Sequence, residues 1–224
     1  MSIYIIKRLI VKPACVILLV MWSGHSYASS EGHPLANIQF SQDKGSLQRG
    51  ALIYYKACRV CHDMKFIRYK NMLDIGFSKA QIDDMRGDRQ ISDAFTRTIN
   101  DNVLTKIYGM VPPDLSVMAK ARKNGPRYIY TLLTSYSEEE GVYDNALFPG
   151  IKMPDIMDIS TAVDTTERDE IRRNVKDVSE FLLWASDPHA KERKTTGYFV
   201  VAYFIVLSLL LYIIMKRVWG RLDS

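Results

Sequence analysis

Histidine and cysteine are scarce in this chain, and their scarcity limits the metal chemistry that it can support. Among 224 residues there are four histidines and three cysteines. A structural zinc site usually takes two pairs of cysteine or histidine ligands, and the chain holds one Cys-x-x-Cys pair with no second pair to complete it. Motifs of a catalytic triad, of metal-dependent hydrolysis and of a phosphate-binding loop are missing too, as are internal repeats. Zinc binding and hydrolytic catalysis are therefore disfavoured.

Excess basic charge is missing from the middle of the chain, although the net charge of the whole sequence is +5. Six of the 30 lysines and arginines lie in the first 28 or the last nine residues, which leaves 24 between residues 29 and 196. The same stretch contains 24 of the 25 acidic residues. Because this part is formally neutral, it offers no basic footprint for nucleic acid, and a nucleic-acid partner is excluded.

The N-terminus has the charged, apolar and small-residue order of a secretory signal. Three basic residues precede an apolar run from Ala14 to Trp22, and small residues follow as far as Ala28. We predict a signal peptide at residues 1–28, with cleavage after Ala28. An uncleaved N-terminal anchor is the alternative, but an apolar core of nine residues is too short to cross ~30 Å of hydrocarbon.

A second apolar run lies near the C-terminus, where residues 197–215 form a stretch of 19 residues without a charge. As a helix at ~1.5 Å per residue this run would span ~28 Å, close to the thickness of a hydrocarbon core. Aromatic residues lie near both ends, which favours a transmembrane helix over the buried helix of a soluble domain. If the signal peptide directs export of the chain, residues 29–196 form an exported domain and the tail 216–224 stays in the cytoplasm.

Helical periodicity dominates the exported domain, whereas strands have almost no support in the sequence. Ser46 and Thr166 are placed to cap two of the predicted helices. Residues 137–165 show no helical period and are predicted to form a long loop. The fold class expected is mainly α, with long loops and a single C-terminal transmembrane helix. The predicted helices have the approximate bounds 46–58, 91–107, 126–136 and 166–187.

The segment Cys58-Arg59-Val60-Cys61-His62 matches the C-x-x-C-H pattern of covalent haem attachment. Thiols at i and i+3 lie on one side of a helical turn, where both can reach the vinyl groups of one porphyrin. The following histidine is then held beneath the iron as an axial ligand. A thiol–disulfide redox pair is one alternative, although it would come after a strand and need no histidine. A zinc site is the other, and it would need a second ligand pair.

A methionine is the expected sixth ligand, because methionine ligation raises the potential of a cytochrome and suits electron transfer. Met153 lies between Gly150 and Pro154 in a loop whose stiff backbone can hold a thioether toward the iron. Met157 and Met110 compete with it, and His33 or His189 could instead supply a second histidine. The other methionines of the exported domain are predicted to fill the core: Met64, Met72, Met85 and Met118.

Several short motifs, in one order, resemble those of the cytochrome c1 family. The resemblance runs from about residue 46 to the end of the chain, and it rests on motifs that surround the haem segment and end at the membrane anchor. These motifs are Gln48-Arg49-Gly50 before the haem segment and Tyr69 after it, Pro112-Pro113-Asp114-Leu115-Ser116 with Ala121-Arg122, Phe148-Pro149-Gly150 before Met153-Pro154, and Phe181-Leu182-x-Trp184-Ala185 with Asp187-Pro188.

The resemblance implies a cytochrome c-like haem domain carrying one covalent haem c, with His62 and Met153 as axial ligands of the iron. It also implies that Arg122 pairs with a haem propionate, assisted by Tyr128, and it places Pro113 in the haem-binding segment. An arginine presents a fork of donors that matches such a carboxylate. The alternative for Arg122 is a solvated charge on a helix.

The function implied by the resemblance is electron transfer within quinol–cytochrome c reductase. The partners would be the cytochrome b and Rieske iron–sulfur subunits, membrane lipid, and a cytochrome c as acceptor; alone, the chain would not turn over quinol. The short 78–110 region points to a bacterial form, with its haem domain in the periplasm and its anchor in the inner membrane. Two alternatives remain: a membrane-anchored monohaem cytochrome of another oxidase or reductase, and a haem-based sensor or peroxidase with an open iron site.

Overall fold

The computed structural model of the chain describes residues 33–139 and 141–222, so the predicted signal peptide lies outside the described residues. The α-helices in this part are α1 (Lys44–Lys56), α2 (Lys79–Arg86), α3 (Asp101–Tyr108), α4 (Met118–Ala121), α5 (Gly125–Thr134), α6 (Thr165–Ala185) and α7 (Ala190–Leu222). The strands are β1 (Met64–Arg68), β2 (Ala94–Phe95), β3 (Tyr136–Glu139) and β4 (Val142–Asn145). Two 3-10 helices span Cys58–Val60 and Tyr69–Leu73. The prediction of a mainly α fold with one long apolar C-terminal helix is confirmed.

Helix α1 begins two residues earlier than predicted, because its cap is Asp43 rather than Ser46. The Asp43 carboxylate accepts a hydrogen bond of 3.0 Å from the backbone N–H of Ser46, which lies inside the first turn. This hydrogen bond is the main reason that the pKa of Asp43 is lowered to about 2. The helix ends at Lys56, so Cys58 does not continue it and instead begins the 3-10 turn beyond it.

Helices α1 and α6 pack closely against each other and form the centre of the core. A Cβ added to Gly50 would lie 2.1 Å from the carbonyl oxygen of Asp177, so only glycine permits this approach. The ring centroids of Tyr54 and Phe181 are 5.8 Å apart across the same contact. At its edge, the Nε and Nη2 atoms of Arg49 donate to the two carboxylate oxygens of Asp177, at 2.6 and 3.1 Å. The contact therefore joins the helix that precedes the haem segment to the helix that precedes the anchor.

Glu180 on α6 is a fully buried carboxylate that holds the chain leading into α1. Its oxygens accept hydrogen bonds from the backbone N–H groups of Ser41, at 2.9 Å, and Gln42, at 3.1 Å. The hydroxyl of Ser46 donates to the same carboxylate. These donors compensate the cost of burying the charge, so the start of α1 is tied to α6 by polar as well as apolar contacts.

Helix α6 starts at Thr165, and the prediction that Thr166 caps it is wrong. The cap is Asp164, whose carboxylate accepts from the N–H of Glu167 at 2.8 Å. The Glu167 carboxylate reaches back to the N–H of Val163, also at 2.8 Å. Aspartate is at least as good a cap as threonine, and it stands here with glutamate three residues later.

The region between the haem segment and the double proline differs most from prediction. The helix expected at 91–107 is limited to α3, because the side chain of Asn100 caps it by accepting from the N–H of Val103 at 3.0 Å. Helix α2 was not predicted, although Ser78 and Gln81 form a capping box at its start. In such a polar region, cap residues mark helices more clearly than apolar spacing does.

The expectation of little strand structure is confirmed, since the strands in the described residues are few and short. Strand β1 pairs antiparallel with β2, and β3 pairs antiparallel with β4 in a hairpin at the start of the predicted loop 137–165. Strands of two to five residues leave little alternation in a sequence, which is why the pattern did not indicate their positions.

The methionines predicted to fill the core lie where expected. Met64, Met72 and Met85 are buried, and Met118 is partly buried against the core.

Helix α7 contains the predicted membrane span and begins seven residues before it. It is long and apolar enough to cross a membrane, and its apolar window is not buried by the rest of the protein. It fits a single-pass membrane anchor. Asp187, just before the helix, accepts a hydrogen bond of 2.6 Å from the Nη1 atom of Arg193 and a further bond from the ammonium group of Lys120 on α4. This carboxylate joins the first turns of the anchor to the folded domain.

Candidate haem-binding site

The two cysteines lie on a single turn directly after α1. The N–H of Cys61 donates to the carbonyl of Cys58 at 3.2 Å, and the N–H of His62 donates to the same carbonyl at 2.9 Å. Both cysteines carry free thiols. The turn is a 3-10 helix rather than the continued α-helix that was predicted, yet its hydrogen bonds close the chain around the positions that haem attachment requires.

The acidity of the thiols disfavours a thiol–disulfide redox pair. Burial raises the pKa of Cys58 to about 12, and burial also raises the pKa of Cys61. Disulfide exchange depends on a thiolate, which redox-active pairs obtain by lowering the pKa of one cysteine. As for the zinc alternative, no group of three or more His, Cys, Asp or Glu side chains in the described ranges is placed to hold a metal ion.

His62 is held by a backbone carbonyl from a distant part of the chain. Its Nδ1 lies 2.7 Å from the carbonyl oxygen of Pro113. A carbonyl can only accept, so the proton is on Nδ1 and the lone pair of Nε2 is available to a metal. Burial lowers the pKa of His62, which favours the neutral imidazole that a ligand must be. The predicted site residues His62 and Pro113 are thus brought together.

The chain after His62 and the chain after Pro113 are braced against each other. The N–H of Leu115 donates to the carbonyl of Asp63 at 2.9 Å, and the N–H of Lys65 donates to the carboxylate of Asp114 at 3.0 Å. The aspartate of the Pro-Pro-Asp-Leu-Ser motif therefore serves to fix the segment that carries Pro113. The geometry between the imidazole and its carbonyl partner depends on this bracing.

Arg97 adds a third segment to the same support, and sequence reasoning missed it. Its backbone N–H donates to one carboxylate oxygen of Asp63 at 2.7 Å, and its guanidinium Nη2 lies 3.2 Å from the other oxygen. The same Nη2 lies 2.8 Å from the carboxylate of Asp101, and Nη1 reaches the carbonyl of Pro112 at 3.5 Å. The side chain of Arg97 therefore contacts both segments that position His62. No local pattern marks this residue, because its partners are distant in the sequence.

Met153 occupies a half-buried position against the core, and the chain on either side of it is anchored. The hydroxyl of Tyr136 donates to the backbone carbonyl of Met153 at 2.9 Å. Among the competing residues, Met157 is also half-buried against the core, whereas Met110 is exposed. His189 is exposed and its Nδ1 lies 3.1 Å from the carboxylate of Glu192. Burial and anchoring therefore favour Met153 and Met157 over Met110 and His189.

The turn that leads to Met153 is fixed by two polar side chains that sequence reasoning missed. Asn145 is buried, and its amide oxygen accepts from the N–H groups of Leu147 and Phe148 at 3.0 and 3.1 Å. The carboxylate of Asp144 accepts from the N–H of Gly150 at 2.8 Å. Asn and Asp hold turns in this way throughout proteins, so the signal was present in the sequence at residues 144–145.

Arg122 and Tyr128 lie next to each other, at the junction of α4 and α5. The guanidinium carbon of Arg122 lies 5.8 Å from the centroid of the Tyr128 ring. The two helices meet so closely here that a Cβ added to Gly125 would lie 1.6 Å from the carbonyl oxygen of Ala119. Arg122 is exposed, so its donors can reach a carboxylate outside the fold.

Apolar side chains remain exposed on the chain that leads to Pro113. Ile107 is 61% exposed and Met110 is 55% exposed, and Val111 comes directly after them. A porphyrin is a flat, largely apolar ring, and side chains of this kind suit its faces. The residues present fit a covalent haem. The two braced segments carry two neutral thiols on one turn, a neutral imidazole whose Nε2 is available, and an exposed apolar surface.

Comparison with known proteins places this arrangement among haem proteins of one family. The model of the Cytochrome C1 family matches residues 34–222. Cytochrome c1 of Rhodospirillum rubrum is 29% identical, over 96% of this chain and 97% of that protein. A protein named cytochrome b/c1, from Bradyrhizobium diazoefficiens, is 29% identical over 80% of this chain, which spans a third of that longer protein. A protein of Nitrosomonas europaea named ammonia monooxygenase gamma subunit is 29% identical, over 91% of this chain and 94% of that protein.

Proposed function

We propose, from the premise that this chain belongs to the cytochrome c1 family, that it relays single electrons from a Rieske iron–sulfur subunit to a cytochrome c within quinol–cytochrome c reductase. The observation that carries the proposal is the hydrogen bond of 2.7 Å from His62 to Pro113, beside two free thiols on one turn. Haem c, when bound, supplies the one-electron chemistry, while the protein supplies attachment, ligands and orientation.

The attachment turn performs the first of these tasks. Cys58 and Cys61 would hold the group by two thioether bonds, and His62 would bind the iron through Nε2. The Nδ1–H bond of His62 to Pro113 fixes the ring and strengthens the imidazole as a ligand. The bracing around Asp63 and Asp114 holds the two segments that carry His62 and Pro113 together.

Met153 is the proposed sixth ligand of the iron. Its support is the half-buried position against the core and the Tyr136 hydroxyl that holds its backbone carbonyl. Arg122 is proposed to pair with a haem propionate, with Tyr128 beside it, because an exposed guanidinium offers a fork of donors to a carboxylate. Both assignments rest on the family resemblance together with these contacts.

The proposed membrane arrangement has a signal peptide at residues 1–28, a periplasmic haem domain at 29–196, an inner-membrane helix at 197–215 and a cytoplasmic tail at 216–224. Helix α7 supports the anchor, since at ~1.5 Å per residue its 33 residues exceed the ~30 Å hydrocarbon core. The helix would hold the haem domain beside its donor at the membrane surface, in contact with lipid.

The proposed partners are a cytochrome b subunit and a Rieske iron–sulfur subunit, with a cytochrome c as acceptor. The name of the Bradyrhizobium relative joins cytochrome b and cytochrome c1, and this chain corresponds to a third of its length. That relation supports close association with a cytochrome b. By the same family resemblance, quinol oxidation itself would take place on the cytochrome b partner.

Purification of the full chain from membranes in mild detergent tests the proposal. We expect the denatured band to stain for haem on a gel and to keep its colour in acid acetone, because thioether bonds survive both treatments. We also expect a di-haem cytochrome b and a Rieske protein to co-purify. A band without haem would refute the attachment, and isolation without these partners would refute the assembly.

A second candidate is a monohaem cytochrome of another oxidoreductase, favoured by the name of the Nitrosomonas relative. Co-purification separates it from the first, since different partners would accompany the chain. A sensor or peroxidase with an open iron site is tested by carbon monoxide. Because Met153 is anchored and half-buried, the ferrous protein should resist carbon monoxide at neutral pH, whereas rapid stoichiometric binding would overturn the six-coordinate site.

A further inference from the structure

Arg59 is a buried cation in the middle of the attachment turn. It lies between Cys58 and Cys61 in the chain, and the residue is only 7% exposed. Its Nε is the one buried side-chain nitrogen or oxygen, among the residues that the structure describes, that has no hydrogen-bond partner. None of the ion pairs between those residues involves Arg59. A buried positive charge is therefore kept on the attachment turn, and none of the ion pairs between the described residues neutralises it.

The position of this charge is fixed by the surrounding residues. The guanidinium carbon lies 4.7 Å from the centroid of the Tyr55 ring, a cation–π contact. Tyr55 is itself held, because its hydroxyl donates to the carbonyl of Met85 at 2.5 Å and its ring meets Phe95 at 6.4 Å. The backbone of Arg59 accepts from the N–H of Thr98 at 3.2 Å. The side chain cannot swing into solvent without giving up its ring contact.

Packing alone does not explain an arginine at this position. An uncharged side chain of similar length would fill the same space against Tyr55 without the cost of burying a charge and leaving Nε without an acceptor. The nearby Arg97 shows the usual solution, since its guanidinium is neutralised by Asp63 and Asp101. Arg59, by contrast, is buried without an ion-pair partner among the described residues.

We propose that Arg59 is a fixed positive charge that raises the reduction potential of the haem attached on either side of it. The inference rests on the proposed function, because it requires the haem that Cys58 and Cys61 would hold. Reduction adds one electron to the iron and makes or breaks no bond, so a neighbouring cation stabilises the reduced form. A unit charge acting over about 10 Å at an effective dielectric of about 20 shifts a one-electron equilibrium roughly tenfold.

The test compares full-length variants in detergent by redox titration of the haem absorbance. In Arg59→Gln and Arg59→Met, the ratio of reduced to oxidised haem at a fixed solution potential should fall about tenfold, or ~59 mV for a one-electron couple. Lys56→Gln is the matched control, because Lys56 is an exposed cation two residues before Cys58. Its ratio should change less than about twofold, since solvent and salt screen exposed charges.

Two further measurements separate charge from structure. Arg59→Lys should keep the wild-type ratio within about threefold, because an ammonium group retains the charge near the ring. The effect of Arg59→Gln should persist in concentrated salt, since buried charges are screened much less than exposed ones. The Arg59→Met variant controls for loss of structure, because methionine fills the same space without a polar group.

An unchanged potential in Arg59→Gln and Arg59→Met, with haem attached, would overturn the role of Arg59 and leave the proposed function intact. An Arg59→Lys ratio as low as that of the glutamine variant would also overturn it, since charge would then not be the cause. Absence of haem from the wild-type band would instead refute the proposed function. Haem staining and titration of one preparation distinguish these results.

Discussion

Two residues, Met153 and His62, carry the axial ligation proposed for the iron, and their surroundings differ. His62 has a direct backbone partner, the Pro113 carbonyl at 2.7 Å, that determines its tautomer. Met153 is held through its own backbone carbonyl by Tyr136, and this hydrogen bond does not involve the thioether. A change at Met153 should therefore affect the chemistry of the iron more than the fold.

Replacing Met153 by Leu tests this assignment. Thioether ligation favours ferrous iron, so its loss should lower the ratio of reduced to oxidised haem at fixed potential by roughly a hundredfold, ~120 mV at ~59 mV per tenfold. The haem should remain attached, because both thioether bonds are untouched. Redox titration measures the change, with Met157→Leu as the matched control in the same loop. Equal potentials for Met153→Leu and the wild type would refute the ligand assignment.

Arg97 and Asp63 form a largely buried ion pair beside His62, with side chains that are 12% and 7% exposed. Replacing Arg97 by Leu would remove the guanidinium from the buried Asp63 carboxylate and leave it only the backbone N–H of residue 97 and the more exposed Lys65. We expect the free energy of unfolding in urea to fall by about 3–5 kcal/mol, the usual cost of breaking such a pair. Arg172→Leu, in an exposed pair with Asp169, is the control and should cost less than about 1 kcal/mol. Similar costs for both variants would contradict a special role for Arg97.

At the scale of secondary structure, the contact between α1 and α6 places the attachment turn relative to the rest of the fold. Gly50 permits the contact, because a Cβ there would meet the backbone carbonyl of Asp177 at 2.1 Å, and a backbone atom cannot move aside as a side chain can. The family motif Gln48-Arg49-Gly50 thus has a physical reason in this chain, since Arg49 pairs with Asp177 at the same contact. The helices can approach closely only with glycine at this position.

Gly50→Ala should therefore destabilise the protein by about 1–3 kcal/mol or more, because the added methyl group forces α1 away from α6. Urea unfolding followed by circular dichroism measures the loss. Gly45→Ala is the control in the same helix, where the nearest atom to the new Cβ is a carboxylate oxygen of the cap residue Asp43 at 3.2 Å, which needs to shift only slightly. That variant should cost clearly less than Gly50→Ala, because no backbone atom blocks the new methyl group. Equal effects would show that the close contact is unimportant.

Element prediction succeeded where one periodic signal extended over many residues and failed where caps or pairing decided the outcome. Helix α5 was expected at 126–136 and spans Gly125–Thr134, whereas the helix expected at 91–107 is limited to α3. The reason is that Asn100 caps the helix, so the helix begins only after this residue. The mixed composition of the region concealed this boundary. Strands as short as β2 are determined by their partners rather than by their own sequence.

At the scale of the whole molecule, Asp187 connects the haem domain to the membrane helix. Hydrogen bonds from Arg193, in the first turns of α7, and from Lys120, on α4, lower the pKa of this carboxyl from 3.8 to about 2. A carboxyl with a lowered pKa in the folded state contributes stability that is complete above its ordinary pKa. The contribution is lost as the pH falls from about 3.8 through about 2.

Hydrogen exchange of the amides at residues 189–194 should reveal this link. In the wild type, protection should be constant above about pH 4 and should decline as the pH falls toward about 2, after correction for the intrinsic exchange rate. Asp187→Asn should reduce protection above about pH 4 and remove this dependence, because the amide carries no charge to lose, so the two profiles should converge as the pH falls toward about 2. Asp83→Asn, in an exposed pair on α2, should leave the profile unchanged. A wild-type profile that is flat across this range would contradict the link.

Features that depend on adjacent residues could be predicted from the order of the amino acids alone. Cysteines three apart with a histidine beside the second belong to one turn wherever that turn lies, and an uncharged run of 19 residues is long enough to cross a membrane in any context. The double proline also predicts a rigid loop from its chemistry alone. Such features depend on covalent spacing, which folding does not alter.

Which groups face one another across the chain depends instead on how the chain folds. His62 and Pro113 are 51 positions apart, and Arg97 and Asp63 are 34 apart, so no local pattern relates them. The same holds for Arg59, whose burial and missing acceptor depend on Tyr55, Phe95 and the packing around them. Hydrogen bonds and burial act over distance in space, and folding alone brings together residues that are distant in the sequence.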